Sequence, residues 1–206
     1  MIFESLCVGH MGVNCYILAS AEGKKAMIID PGSDYNKIRR VMDKHKLEPG
    51  LIINTHGHYD HIGCDDRFGA PVYIHKDDER LLYEPSLNLS GIFFVPYKVN
   101  SKVIVIEDGQ EIALDDIRLK AIHVPGHTPG GIALLMLSPK TDILFSGDIL
   151  FYRGIGRSDL GGGSQEQLIS SIKEKIITLN PDTVVYPGHG QSTTIKDEIE
   201  NNQFLM

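Results

Sequence analysis

The feature that most constrains this chain is a six-residue stretch, residues 56–61, which holds three histidines and one aspartate. It follows the apolar run 51–53, where a buried strand is expected to end in a loop. In extended chain the side chains of residues i and i+2 point to the same side, so His56 and His58 can bind one ion together. A turn at Tyr59 then brings Asp60 and His61 to a neighbouring position. This spacing predicts a metal site.

Three later fragments share this context, because each begins where an apolar run ends in glycine or proline. They are residues 125–130, 145–148 and 186–190. Taken with the first motif they give seven candidate ligands, too many for one tetrahedral zinc ion and suited to two ions that share a carboxylate. The sequence therefore predicts a binuclear centre formed by His56, His58, Asp60, His61, His127, Asp148 and His189.

Each of the later residues has an ordinary alternative when it is considered alone. A histidine between glycines, such as His189, is usually a turn residue, and Asp148 would fit a helix N-cap. His127 would fit a structural hydrogen bond in a loop. Four histidines lack the paired context and are expected at the surface or behind the ligands: His10, His45, His75 and His123.

Length and charge limit the classes of protein to consider. A chain of 206 residues predicts one domain, residues 1–206. The net charge of −7 comes without a basic tract, which argues against a nucleic-acid partner. Three scattered cysteines, an N-terminus without a signal-peptide pattern and the lack of a long apolar run predict a cytoplasmic protein with no membrane partner. No protein partner is evident.

Hydrophobic patterns predict a mixed α and β protein in which groups of strands are separated by helices. Helical periodicity is clearest at 35–47 and 164–179, and Ser164 with Gln167 forms a capping-box pattern. The predicted strands are 15–19, 25–30, 51–54, 71–74, 111–114, 118–124, 132–137, 142–145 and 183–186.

Two loops are expected near the centre. Residues 84–98 carry aromatic side chains with weak periodicity, which suits a lid over a ligand and equally a segment packed on the core. Residues 151–163 are rich in glycine, and Arg157 there can hold a carboxylate bidentately or form a structural pair with Asp159.

These motifs resemble the metallo-β-lactamase fold superfamily, and within it small glyoxalase II-like proteins of the hydroxyacylglutathione hydrolase type. The resemblance covers nearly the whole chain and is carried by residues 14–16, 29–32, 55–63, 125–130, 146–148, 156–159 and 186–190. It implies an α+β fold, a four-layer αββα sandwich with a binuclear metal site at one edge between the two sheets. It further implies that the first ion is held by His56, His58 and His127, the second by Asp60, His61 and His189, and both by Asp148.

The resemblance also implies an activity, the hydrolysis of a thioester of the S-lactoylglutathione type to a hydroxy acid and a free thiol by a metal-bound hydroxide. Asp60 would orient the hydroxide as a catalytic residue, and Arg157 would contact the small-molecule substrate. Two divalent ions are implied, with zinc expected and iron or manganese as alternatives. The chain differs from the larger glyoxalase II enzymes, which have a C-terminal helical region and place tyrosines where Asp159 and Gln191 stand here.

Other functions stay open at this level. One is a mononuclear iron persulfide dioxygenase of the same superfamily, which would need only two histidines and a carboxylate around one iron. Another is a hydrolase of a different small ester or thioester. A flavoprotein-associated metal module without hydrolytic activity is a third, although no flavin-binding segment is evident.

Overall fold

The computed structural model describes residues 1–92 and 94–206. Phe93, one of the aromatic residues of the 84–98 loop for which a lid and a core-packing segment were both expected, lies outside the described residues. The strands are β1 (Ile2–Val8), β2 (Val13–Ala19), β3 (Lys25–Ile29), β4 (Glu48–Ile53), β5 (Val72–His75), β6 (Val103–Ile106), β7 (Glu111–Leu114), β8 (Ile117–His123), β9 (Ile132–Ser138), β10 (Ile143–Gly147), β11 (Leu150–Phe151), β12 (Gly154–Ile155), β13 (Val184–Pro187) and β14 (Thr193–Thr194). The α-helices are α1 (Tyr35–Lys44), α2 (Tyr59–Ile62), α3 (Gln165–Ser171) and α4 (Ile195–Asn201).

Twelve of the strands form two six-stranded sheets. The first sheet has the order β1-β2-β3-β4-β5-β6, antiparallel up to β3 and parallel from β3 to β6. The second has the order β14-β13-β10-β9-β8-β7, in which only β10 and β13 are parallel. Strands β11 and β12 form a separate hairpin.

The two sheets pack face to face, and helices cover their outer faces. Strand β2 contributes side chains to the apolar packing on both faces of its sheet, because alternate side chains of a strand point to opposite faces. Tyr16 and Leu18 pack between the sheets with Phe145 of the second sheet. Cys15 and Ile17 pack on the other face, in the same cluster as Ile38 and Met42 of α1.

The second sheet is covered in the same way. Leu168 of α3, and Ile172 and Ile176 of the π-helical turn that continues it, pack with Leu144 of β10. The described residues thus form three apolar clusters between four layers, and the predicted αββα sandwich is confirmed. In the part of the chain that is described, none of the helices has both the length and the hydropathy needed to cross a bilayer.

Candidate metal centre

All seven predicted ligands lie together, on loops that leave the two sheets at one edge. His56 and His58 follow β4 of the first sheet, and α2 carries Asp60 and His61. The other three come from the second sheet, with His127 in the β8–β9 loop, Asp148 directly after β10 and His189 shortly after β13. The centre is therefore assembled from both halves of the sandwich.

The first donor set consists of three buried histidines. The Nε2 atom of His127 lies 3.2 Å from Nε2 of His56 and 3.0 Å from Nδ1 of His58. The three rings stand at 80–90° to one another. Their in-plane lone pairs can therefore meet at one point, as ligands of a single ion require.

The second donor set consists of Asp60, His61 and His189. Nε2 of His61 lies 3.4 Å from Nε2 of His189, and the latter lies 3.4 Å from Oδ2 of Asp60. Asp148 lies between the sets, with Oδ1 3.4 Å from Nε2 of His61 and Oδ2 3.7 Å from Nε2 of His127. This is the arrangement expected of a carboxylate shared by two ions.

Three of the histidines are oriented by hydrogen bonds from the ring nitrogen that faces away from the centre. Nδ1 of His61 donates to Oδ2 of Asp30 at 3.0 Å, and Asp30 also accepts from the backbone N and the hydroxyl of Thr55. Nδ1 of His127 donates to the carbonyl of Arg157 at 2.6 Å, and Nδ1 of His189 to the carbonyl of Met11 at 3.0 Å. In the neutral form of all three rings the proton is therefore on Nδ1, which leaves the Nε2 lone pair directed into the centre.

The electrostatics differ between the two sets. Burial and the nearby His127 lower the pKa of His58 to about 3, so its ring stays neutral and keeps its lone pair. Burial opposes charge on His61 too, but the carboxylates of Asp148, Asp30 and Asp60 outweigh it and raise the pKa of His61 to about 10. The second set is thus an anionic environment that favours a positive charge.

Three observations test whether the residues fit metal ions. Oδ1 of Asp148 is buried and has no hydrogen-bond partner among the described residues, which is costly unless a cation is bound there. Gly188 approaches this carboxylate so closely that a Cβ at that position would lie 2.2 Å from Oδ1. Nitrogen donors at 3.0–3.4 Å from one another match the ligand separations around a small divalent ion. The donor set fits two such ions.

A cleft of about 310 Å³ lies over the centre. Apolar side chains of Met11, Leu89 and Leu160 line it beside the candidate ligands. Arg157 also lines the cleft, and its guanidinium forms two hydrogen bonds with Asp159 at 2.7 and 2.8 Å. Both alternatives for Arg157 are therefore compatible with its position, because the exposed pair can exchange for a substrate carboxylate.

Some contributors to this site were not predicted from the sequence. Met11, at the β1–β2 turn, lines the cleft and anchors His189, although no local motif marks it. Leu89, from the 84–98 loop, also lines the cleft, a position compatible with a lid. The adjacent Asn88 is fully buried, so this part of the segment also packs on the core.

A further group of ligand-type residues, His75, Asp77 and His123, lies apart from the seven. The rings of His75 and His123 are stacked 3.9 Å apart at 16°, so their lone pairs run nearly parallel and do not converge. Nε2 of His123 also donates to the carbonyl of Pro129 at 2.8 Å. We assign no ion to this group. His10 and His45 are the other two histidines that the sequence places outside the ligand set. His10 is exposed, and His45 pairs with Glu4 at the surface.

Comparison with known proteins identifies the family. The model of the metallo-beta-lactamase superfamily matches residues 8–189. A hydroxyacylglutathione hydrolase, GloC of Haemophilus influenzae, is 34% identical over 214 residues, covering 100% of this chain and 98% of GloC.

Two crystal structures superpose well on this chain. The BLEG-1 B3 metallo-beta-lactamase has a TM-score of 0.90 at 34% identity with full coverage of both chains. TTHA1623 in a di-iron-bound form has a TM-score of 0.84 at 33% identity, covering 98% of this chain and 100% of that one. The chain belongs to the metallo-beta-lactamase superfamily.

Proposed function

We propose that this protein is a binuclear metallohydrolase that cleaves thioesters of the S-lactoylglutathione type. The observation that carries the proposal is the pair of donor sets that meet at Asp148. The first ion would be held by His56, His58 and His127, the second by Asp60, His61 and His189, and Asp148 would bridge them. The similarity to GloC, a hydroxyacylglutathione hydrolase, supports the substrate class. The similarity to TTHA1623, whose crystal structure holds two iron ions, supports a two-metal centre. Zinc is our expected metal, since these mixed nitrogen and oxygen ligands suit it.

Two divalent ions held by these residues would supply Lewis acidity and would lower the pKa of bound water towards neutrality. The residues of the chain prepare the site for that chemistry. Asp60 lies at the edge of the second set, where its carboxylate can orient the attacking oxygen, and His61 and His189 hold its pKa near 2 against the effect of burial. It is therefore a hydrogen-bond acceptor at any working pH.

The leaving group of a thioester would suit this cleft. A thiolate needs no proton from an acid because the pKa of its thiol is about 8.5. The apolar side chains of Met11, Leu89 and Leu160 suit the weakly hydrated sulfur and its neighbouring carbons. Arg157, at the same cleft, would bind a carboxylate of the substrate.

The test is the release of free thiol from S-lactoylglutathione by purified protein loaded with zinc. The matched control substrate is the lactate ester of a simple alcohol, which has the same acyl group and a poorer leaving group. We expect metal-dependent thiol release and much slower ester cleavage. Thiol release that is absent from the metal-loaded protein, or oxygen uptake with glutathione persulfide, would contradict the proposal and favour the dioxygenase or another hydrolase.

A further inference from the structure

Segment 76–82, between β5 and the 84–98 loop, contains a buried carboxylate that contacts neither candidate ion site directly. Asp78 is fully buried. Its Oδ2 accepts hydrogen bonds from the backbone N of Gly57 at 3.0 Å and from Oγ1 of Thr128 at 2.7 Å. Its Oδ1 accepts from the backbone N of Gly130 at 2.6 Å. All of its hydrogen-bond partners among the described residues are therefore on the two loops that carry the first donor set.

Those two loops come from different sheets. Gly57 stands between His56 and His58 after β4 of the first sheet, and Thr128 follows His127 in the β8–β9 loop of the second. One carboxylate thus connects the two loops. A buried charge is retained only when such partners compensate its desolvation, and Asp78 has three of them.

Close packing of the backbones supports the same conclusion independently. A Cβ at Gly57 would lie 2.4 Å from Cβ of Leu81, and a Cβ at Gly130 would lie 2.4 Å from the backbone N of Asp78. Both loops therefore rest against segment 76–82 at distances that only glycine permits. The segment acts as a common support for the two loops.

We propose that Asp78 is a positioning residue for the first metal site, which sets the separation between the His56–His58 loop and His127. This inference rests on the metal centre of the proposed function and not on its substrate. Ligand distances tolerate errors of only about 0.2 Å, so a small loop shift weakens binding. The second set has its own support in Asp30, which holds His61 and Thr55. Loss of Asp78 should therefore affect one ion and not the other.

The test compares the variant Asp78→Asn with the matched control Asp66→Asn. Asp66 is also a carboxylate that ties loop backbone, because it accepts from the backbone N atoms of Asn100 and Ser101, away from the metal centre. Zinc affinity is measured by competition with a chromophoric chelator. In a His189→Ala background, which leaves the first set intact, Asp78→Asn should weaken binding by about 10- to 100-fold. In a His58→Ala background, which leaves the second set, it should change nothing. Asp66→Asn should change neither affinity.

Four outcomes would overturn the inference. Wild-type affinity in both backgrounds, or equal losses in both, would contradict a positioning role for Asp78. A wild-type protein that binds no zinc would instead contradict the metal centre itself. If Asp78→Asn does not fold, Thr128→Val removes one donor to the carboxylate and keeps the charge; it should weaken the first site only, and an unchanged first site would again contradict the proposal.

Discussion

At the scale of single residues, hydrogen-bond partners decide what a buried carboxylate does. Asp30 and Asp78 each accept three hydrogen bonds and hold residues of the centre in place. Asp65 is equally buried but has one long hydrogen bond, from Asn54 at 3.3 Å, and its Oδ2 has no partner among the described residues. Burial therefore raises the pKa of Asp65 well above its usual range.

We expect Asp65→Asn to stabilise the protein at neutral pH by about 1 kcal/mol, because it removes a poorly compensated charge without changing the side-chain shape. The pKa of Asp65 is higher in the folded than in the unfolded state, so its contribution to stability falls as pH rises above the unfolded value of about 3.9. The gain should thus be absent near pH 3 and grow towards pH 7. Urea unfolding of both proteins across this range measures it, and a variant less stable at pH 7 would contradict the account.

The ligand role of a single histidine is tested by His58→Ala, with His45→Ala as the control. His58 belongs to the first donor set, whereas His45 pairs with Glu4 at the surface. We expect His58→Ala to lose one bound ion per chain and to reduce turnover at least about 100-fold, since the pair of ions acts as a unit. His45→Ala should keep the metal content and the turnover of the wild-type protein. Full activity and metal content in His58→Ala, measured on one sample, would exclude the ligand role.

At the scale of elements, the sequence predicted both a strand that is buried along its whole length, β2, and one whose burial alternates, β8. All nine predicted strands and both predicted helices are present; β7 has the predicted bounds, and the other elements have ends shifted by one or more residues. Strand β1 was missed because its side chains are mostly half-buried at the sheet edge, so its pattern is weak. Helix α4 was missed because it spans only seven residues, although Thr194 caps it by accepting from the backbone N of Asp197.

The segment that begins near residue 84 depends on one buried amide. Nδ2 of Asn88 donates to the carbonyls of Leu81 and Tyr97, and its Oδ1 accepts from the backbone N of Ser90. Asn88→Ala leaves these groups unpaired and should cost about 1–3 kcal/mol. Because Leu89 lines the cleft, we expect a higher KM for the thioester with unchanged metal content. An unchanged KM in the metal-loaded variant would argue that the segment does not contact substrate.

At the scale of the whole molecule, the centre joins both halves of the sandwich. Sequence motifs predicted that seven side chains would meet, since each motif follows the end of a strand and such ends gather at one edge. They did not predict Met11 or Asp78, because these residues act through tertiary contacts that leave no local pattern. Such contacts can be identified only from the three-dimensional arrangement of the two sheets and their loops.

Ions held from both sheets should also stabilise the fold. Each site contributes about 2.7 kcal/mol when free zinc is 100-fold above its dissociation constant. A chelator should therefore lower the unfolding midpoint of the wild-type protein in urea. The double variant His58→Ala, His189→Ala should unfold at the same midpoint with or without chelator. An unfolding midpoint of the wild-type protein that does not change with chelator would contradict metal binding between the two sheets.

The most direct test of the binuclear centre is a metal titration of chelator-stripped protein, with thiol release from S-lactoylglutathione and bound zinc measured at each step. The geometry predicts that activity keeps rising until two ions are bound per chain, because both donor sets face the same cleft. Full activity at one ion per chain, with no further binding, would contradict a two-metal mechanism.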